Sequence, residues 1–149
     1  MGAKNLDVVI TVIAVILVVL VWIMLYDSNR FVVRHYFLRD QRIKKPVKAV
    51  VLADLHNKRY GKENERLLES IKNQHPDLIL IGGDMLVRKD GNSYDRTVRF
   101  LEKLPAICPV YCANGNHEQK LKELPDKYEQ SYEGYKKALT ACGIYMLEN

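Results

Sequence analysis

The sequence predicts an α/β fold, a parallel sheet covered by helices, behind one membrane-spanning helix. Three observations predict it. An uncharged apolar run lies near the N-terminus. Short β-branched runs then alternate with segments of helical spacing, and the first three of those runs each end in polar, metal-competent residues.

The apolar run is Val8 to Tyr26, 19 residues without charge, Gly or Pro. As a helix it would span roughly 28 Å, close to the hydrocarbon thickness of a bilayer. Trp22 and Tyr26 lie towards its C-terminal end, where amphipathic rings favour the interface. A cleaved signal peptide would have a shorter apolar region followed by small residues. Here the run continues into "DSNRFVVRHYF", so a retained anchor is the reading. Lys4 alone precedes the run, whereas Arg30, Arg34, Arg39, Arg42, Lys44 and Lys45 follow it. That asymmetry predicts a single-pass protein of the cell membrane with its soluble part on the cytoplasmic side. The expected organisation is a tail (1–7), the membrane helix (8–26), a basic juxtamembrane linker (27–45) and a globular domain (46–149).

The linker also explains the net charge of +5. From Pro46 onward 16 Lys/Arg face 15 Asp/Glu, a nearly neutral domain, so no nucleic-acid partner is expected. Cys108, Cys112 and Cys142 match no zinc or disulfide spacing and read as reduced, partly buried thiols.

Within the domain, "VKAVVLA" is the first strand. "ENERLLESIKNQ" carries Leu67, Leu68 and Ile71 at helical spacing and stops before Pro76. "DLILIGGD" reads as a strand buried on both faces. "SYDRTVRFLEKL" is a helix with Ser93 as its N-cap, and "PVYCANG" is the third strand. "KYEQSYEGYKKALTACG" sets Tyr128, Tyr132, Tyr135 and Leu139 along one stripe, a packing face closed by Gly143. "IYML" is the fourth strand. The order is β-α-β-α-β-α-β.

In open α/β sheets, functional groups collect beyond the carboxyl ends of the strands. Strand one ends in Asp54-Leu55-His56, strand two in Gly82-Gly83-Asp84, and strand three in Asn114-Gly115-Asn116-His117-Glu118. Asp54 and His56 can point the same way and share a cation. Asp84 adds a carboxylate, and Asn116 a neutral carbonyl oxygen. This donor set suits Mn²⁺, Fe, Zn²⁺ or Mg²⁺. His117, one residue out of phase with Asn116, could reach a substrate. Glu118 would stabilise the loop or orient His117. Taken singly, an Asp at a strand end is usually a cap or turn former, and "GG" only a turn. Three such ends in succession make coincidence a poor explanation.

Asp-x-His, Gly-Asp and Gly-Asn-His-Glu, about thirty residues apart, resemble the motifs of the calcineurin-like metallophosphoesterase superfamily. The resemblance runs from about Val47 to Asn149, and the anchor resembles the layout of its membrane-anchored bacterial type. It implies the N-terminal half of a four-layer αββα sandwich and a two-metal phosphoester hydrolase using Mn, Fe or Zn. Asp54 and His56 would hold the first ion, Asp84 would bridge, Asn116 would bind the second, and His117 would act at the phosphate as catalytic residue. The substrate would be a phosphomonoester or phosphodiester, and an anchor favours lipid-linked substrates. The family's sheet continues with a lone metal-binding His and a Gly-His-x-His motif, which this sequence does not contain. Its histidines are His35, His56, His75 and His117. The expectation is therefore a fragment, weak or inactive alone, needing a C-terminal half or a complementing chain. The other reading is a non-catalytic, membrane-tethered α/β interaction module with a vestigial metal site. A dinucleotide-binding fold is disfavoured because no Gly-x-Gly-x-x-Gly follows the first strand.

Overall fold

The computed structural model describes residues 2–87, 93–124 and 131–147. The chain divides into two compact units, Met1–His35 and Tyr36–Asn149. The first is helix α1 (Gly2–Ser28) and the residues just after it. The helix is longer than the uncharged run predicts, starting at Gly2 and ending at Ser28, where the Ser28 and Asn29 side chains donate to the Leu25 carbonyl. It is long and apolar enough to cross a membrane.

The second unit contains a four-stranded parallel sheet, β1 (Ala49–Leu52), β2 (Leu78–Ile81), β3 (Val110–Ala113) and β4 (Ile144–Leu147), in spatial order 1-2-3-4. Helices α2 (Glu65–Asn73), α3 (Asp95–Leu101), α4 (Asn116–Glu123) and α5 (Tyr132–Ala141) lie between and after the strands, and a 3-10 turn at Lys62–Asn64 leads into α2. Crossovers between parallel strands are right-handed, so a sheet that always advances in one direction receives its helices on one face. Burial follows this rule. Ile79, Ile81, Val110, Cys112 and Ile144 pack beneath Leu67, Ile71, Phe100, Leu101, Leu121, Tyr135 and Leu139, all buried. Burial pushes the Cys112 thiol up to about 12, which makes it the inert core thiol that its spacing suggested.

The opposite face is different. Val51, Leu80, Tyr111 and Tyr145 form one row, register partner to register partner, across all four strands. Val51 is 66% exposed and Tyr145 60%, and the rings of Tyr111 and Tyr145 stack at 5.2 Å. This corrects the reading of β2 as buried on both faces. Its apolar run is real, but only Ile79 and Ile81 are covered, because the crossover helices of this unit fall on their side.

Two further expectations change. A helix, α4, begins directly after the third strand, where none was predicted; Leu121 is its single buried apolar residue, so hydrophobic periodicity gave little signal. The third helix starts at Asp95 rather than Ser93, although Ser93 Oγ still accepts the Asp95 N–H at 3.0 Å as a cap does. Tyr132, Tyr135 and Leu139 form the buried stripe of α5, closed by Gly143 at φ +92°, while Tyr128 lies outside the described residues. The Tyr132 hydroxyl also accepts from Asn114 Nδ2 at 2.7 Å, tying α5 to the end of β3.

Candidate metal centre

The carboxyl ends of β1, β2 and β3 continue into loops held together by their own backbones. Gly82 N–H donates to the Leu52 carbonyl, Asp54 N–H to Gly83, His56 N–H to Asp84 and Asn57 N–H to Met85, at 2.8 to 3.2 Å. The first two loops therefore run side by side beyond the sheet. To do so, Asp54, His56, Asn57 and Asp84 all take left-handed backbone conformations, with φ between 49° and 57°. Each such residue costs about 1–2 kcal/mol outside glycine, and clusters of them mark functional sites. Thr97 Oγ1 donates to Asn57 Oδ1 at 2.8 Å, so α3 pins the first loop from behind.

The second and third loops approach more closely still. A Cβ on Gly83, which has φ +91°, would overlap the backbone of Gly115, and one on Gly115 would overlap Asp84. Only glycine permits this approach. Gly83→Ala is expected to lower stability by about 3 kcal/mol, since overpacking and a positive φ act together. Thermal unfolding measures that loss.

Glu118 fastens the same junction. Its carboxylate is 1% exposed, yet it has no cationic partner among the described residues. Instead Oε2 accepts from the N–H groups of Asp84 (2.8 Å) and Gly115 (3.0 Å), and Oε1 from those of Met85 (2.9 Å) and Leu86 (3.3 Å). One side chain in the first turn of α4 thus satisfies four loop donors, on a helix end that favours negative charge. It stabilises the loop, one of the two roles its position suggested. Asp84 Oδ1 in turn accepts from His117 N–H at 2.8 Å.

These constraints bring His56, Asp84 and His117 together, one from each strand end. Each offers a ligand atom, and those atoms lie within 4.8 Å of one another. Donor atoms about 2.1 Å from one ion in a tetrahedron lie about 3.4 Å apart, so pairs as far as 4.8 Å apart would have to draw together by up to about 1.4 Å to share a cation. Two imidazoles and a carboxylate suit a borderline divalent ion. The rings of His56 and His117 meet edge to face, with centroids 5.1 Å apart.

Asp54 is more open, with Oδ1 4.0 Å from His56 Nε2 and a largely exposed side chain. Asn116 is the exposed first residue of α4, next to His117. His75 follows α2 and precedes β2, at the opposite end of the sheet from the site. His117, one residue out of phase with Asn116, was expected to reach a substrate, and its ring stands beside His56 and Asp84. What sequence reasoning missed is the support: the left-handed backbones, the Asn57–Thr97 bond and the fourfold grip of Glu118. Glycine followed three residues later by glutamate was the one available signal, since that is the return half of a capping box.

A parallel α/β sheet with a His-Asp-His group at its carboxyl edge defines a metal-binding α/β protein. A family model described as calcineurin-like phosphoesterase matches residues 47–146, and the chain belongs to that family of metal-dependent phosphoesterases. Its one helical layer and one sheet form half of the metallophosphoesterase fold. No curated protein matches the chain.

Proposed function

We propose that this chain is the membrane-anchored part of a dinuclear hydrolase of phosphomonoesters or phosphodiesters. Residues 8–26 would be the anchor, 27–45 the juxtamembrane linker, and 46–149 the hydrolase domain on the cytoplasmic side. The observation that carries the reading is the convergence of His56, Asp84 and His117 from three consecutive strand ends. Asp54 and His56 would hold the first ion, Asn116 the second, and Asp84 would serve both. Mn, Fe or Zn suits these donors. When bound, such a pair supplies electrostatic stabilisation of the entering and leaving oxygens of an in-line displacement at phosphorus. His117 binds the phosphate and gives a ring proton to the leaving oxygen. The buried Glu118 keeps the loops of Asp84 and His117 at fixed separation.

The exposed apolar row of Val51, Leu80, Tyr111 and Tyr145 supports a second layer over the open face, from a C-terminal half or a complementing chain. An anchor favours phosphorylated, lipid-linked substrates at the bilayer. The test is hydrolysis of bis-(p-nitrophenyl) phosphate with Mn²⁺, by the chain alone and fused to a histidine-bearing C-terminal half of a calcineurin-like phosphoesterase. Weak activity alone, raised by the fusion and removed by chelator, is expected. A folded fusion that gains no chelator-sensitive activity contradicts the proposal.

A further inference from the structure

A segment at the start of the second unit has a surface that the hydrolase reading does not use. Tyr36 is 76% exposed, Phe37 95% and Leu38 91%, three consecutive large apolar side chains with almost no covering. Ile43, a few residues on, is also exposed. Around them stand Arg39, Arg42, Lys44 and Lys45, with Asp40 as the one acid between Tyr36 and Lys45. Arg42 neutralises that acid through two parallel bonds, Nε to Oδ1 at 2.9 Å and Nη2 to Oδ2 at 2.7 Å. The guanidinium holds the Asp40 carboxyl below the usual carboxylate range. A turn closed by Ile43 N–H on the Asp40 carbonyl, at 3.1 Å, joins the apolar part to the basic part. The remaining cations, Arg39, Lys44 and Lys45, have no carboxylate partner among the described residues.

We infer that residues 36–45 dock on the headgroup region of an anionic bilayer. Exposed aromatic side chains interleaved with cations match that surface in both of its properties, an apolar boundary beneath a negative potential. Phosphatidylglycerol-type lipids would engage the cations while Tyr36, Phe37 and Leu38 enter the boundary. A protein partner would more naturally meet an apolar core with charge at its rim than cations alternating with apolar residues along one short segment. The inference rests on α1 being a bilayer anchor. The segment begins eight residues after that helix ends at Ser28, so docking would fix the start of the domain at the membrane plane.

Hydrogen exchange of the full chain in nanodiscs tests it, comparing pure phosphatidylcholine with discs containing phosphatidylglycerol. Amides of 36–45 should exchange roughly a hundredfold more slowly in the anionic discs, as three cations near a charged surface predict. Arg39→Glu/Lys44→Glu/Lys45→Glu should remove the difference while the amides of β2 and β3 keep their protection, which shows that the fold persists. Exchange that is equal in both discs overturns the inference, whether the segment is free or covered by protein. A chain that enters neither disc overturns the anchor, and this inference with it.

Discussion

Asp84→Asn is expected to abolish metal binding while leaving the fold intact. Asparagine has the same shape, tolerates the left-handed backbone at φ 53°, and keeps an oxygen for the His117 N–H that Oδ1 now accepts. What it removes is the charge facing His56 and His117. Changes to residues that only support ligands weaken affinity by about 10–100-fold, so loss of a ligating carboxylate should exceed that range. In the fusion with a C-terminal half, turnover of bis-(p-nitrophenyl) phosphate should fall at least as far. Titration with Mn²⁺, followed by thermal unfolding of the same sample, separates the lost charge from any lost structure. Retained activity in that variant would remove Asp84 from the site.

The second large effect belongs to Glu118. Glu118→Ala leaves the N–H groups of Asp84, Met85, Leu86 and Gly115 without their acceptor in the interior. Unmade bonds to a buried charged acceptor cost about 1–3 kcal/mol each, partly recovered by entering water, so a loss of about 4 kcal/mol is expected. For a domain of this size that lowers Tm by roughly 20 °C. Glu118→Gln presents an amide NH₂ to two of the donors and should restore only part of the loss. Because the same bonds fix Asp84 relative to His117, metal affinity should fall in both variants. A Glu118→Ala protein as stable as the parent would mean that the loops are held by their glycines alone.

The sheet was legible because each strand is a β-branched or apolar run with a turn residue at its end. The meeting of His56, Asp84 and His117 at one edge was legible for the same reason: polar groups directly after such runs have to emerge there. Helix α4 was not, since "NHEQKLKE" has a single apolar core residue, Leu121, and its other buried side chain is the charged Glu118. Nor was the open face of the sheet. "LILI" looks alike whether one face or two are covered, and only the strand order, with its one-sided helices, decides between them. The left-handed backbone at His56 and Asp84 was also hidden. Neither residue is glycine, and the conformation is imposed by the pairing of the two loops. Glu118 illustrates the same limit, because a surface-type residue in a polar helix turn gives no sign that it is the most buried charge of the site.

The central claim is that His56 and Asp84 hold a divalent cation beside His117. Equilibrium dialysis against Mn²⁺ or Zn²⁺, with metal counted per chain, tests it most directly. The purified chain should retain metal, and His56→Ala and Asp84→Asn should each lose most of it while remaining folded, whereas His117→Ala should keep it. Equal metal in the parent, His56→Ala and Asp84→Asn proteins would contradict the site, as would a folded parent chain that retains none.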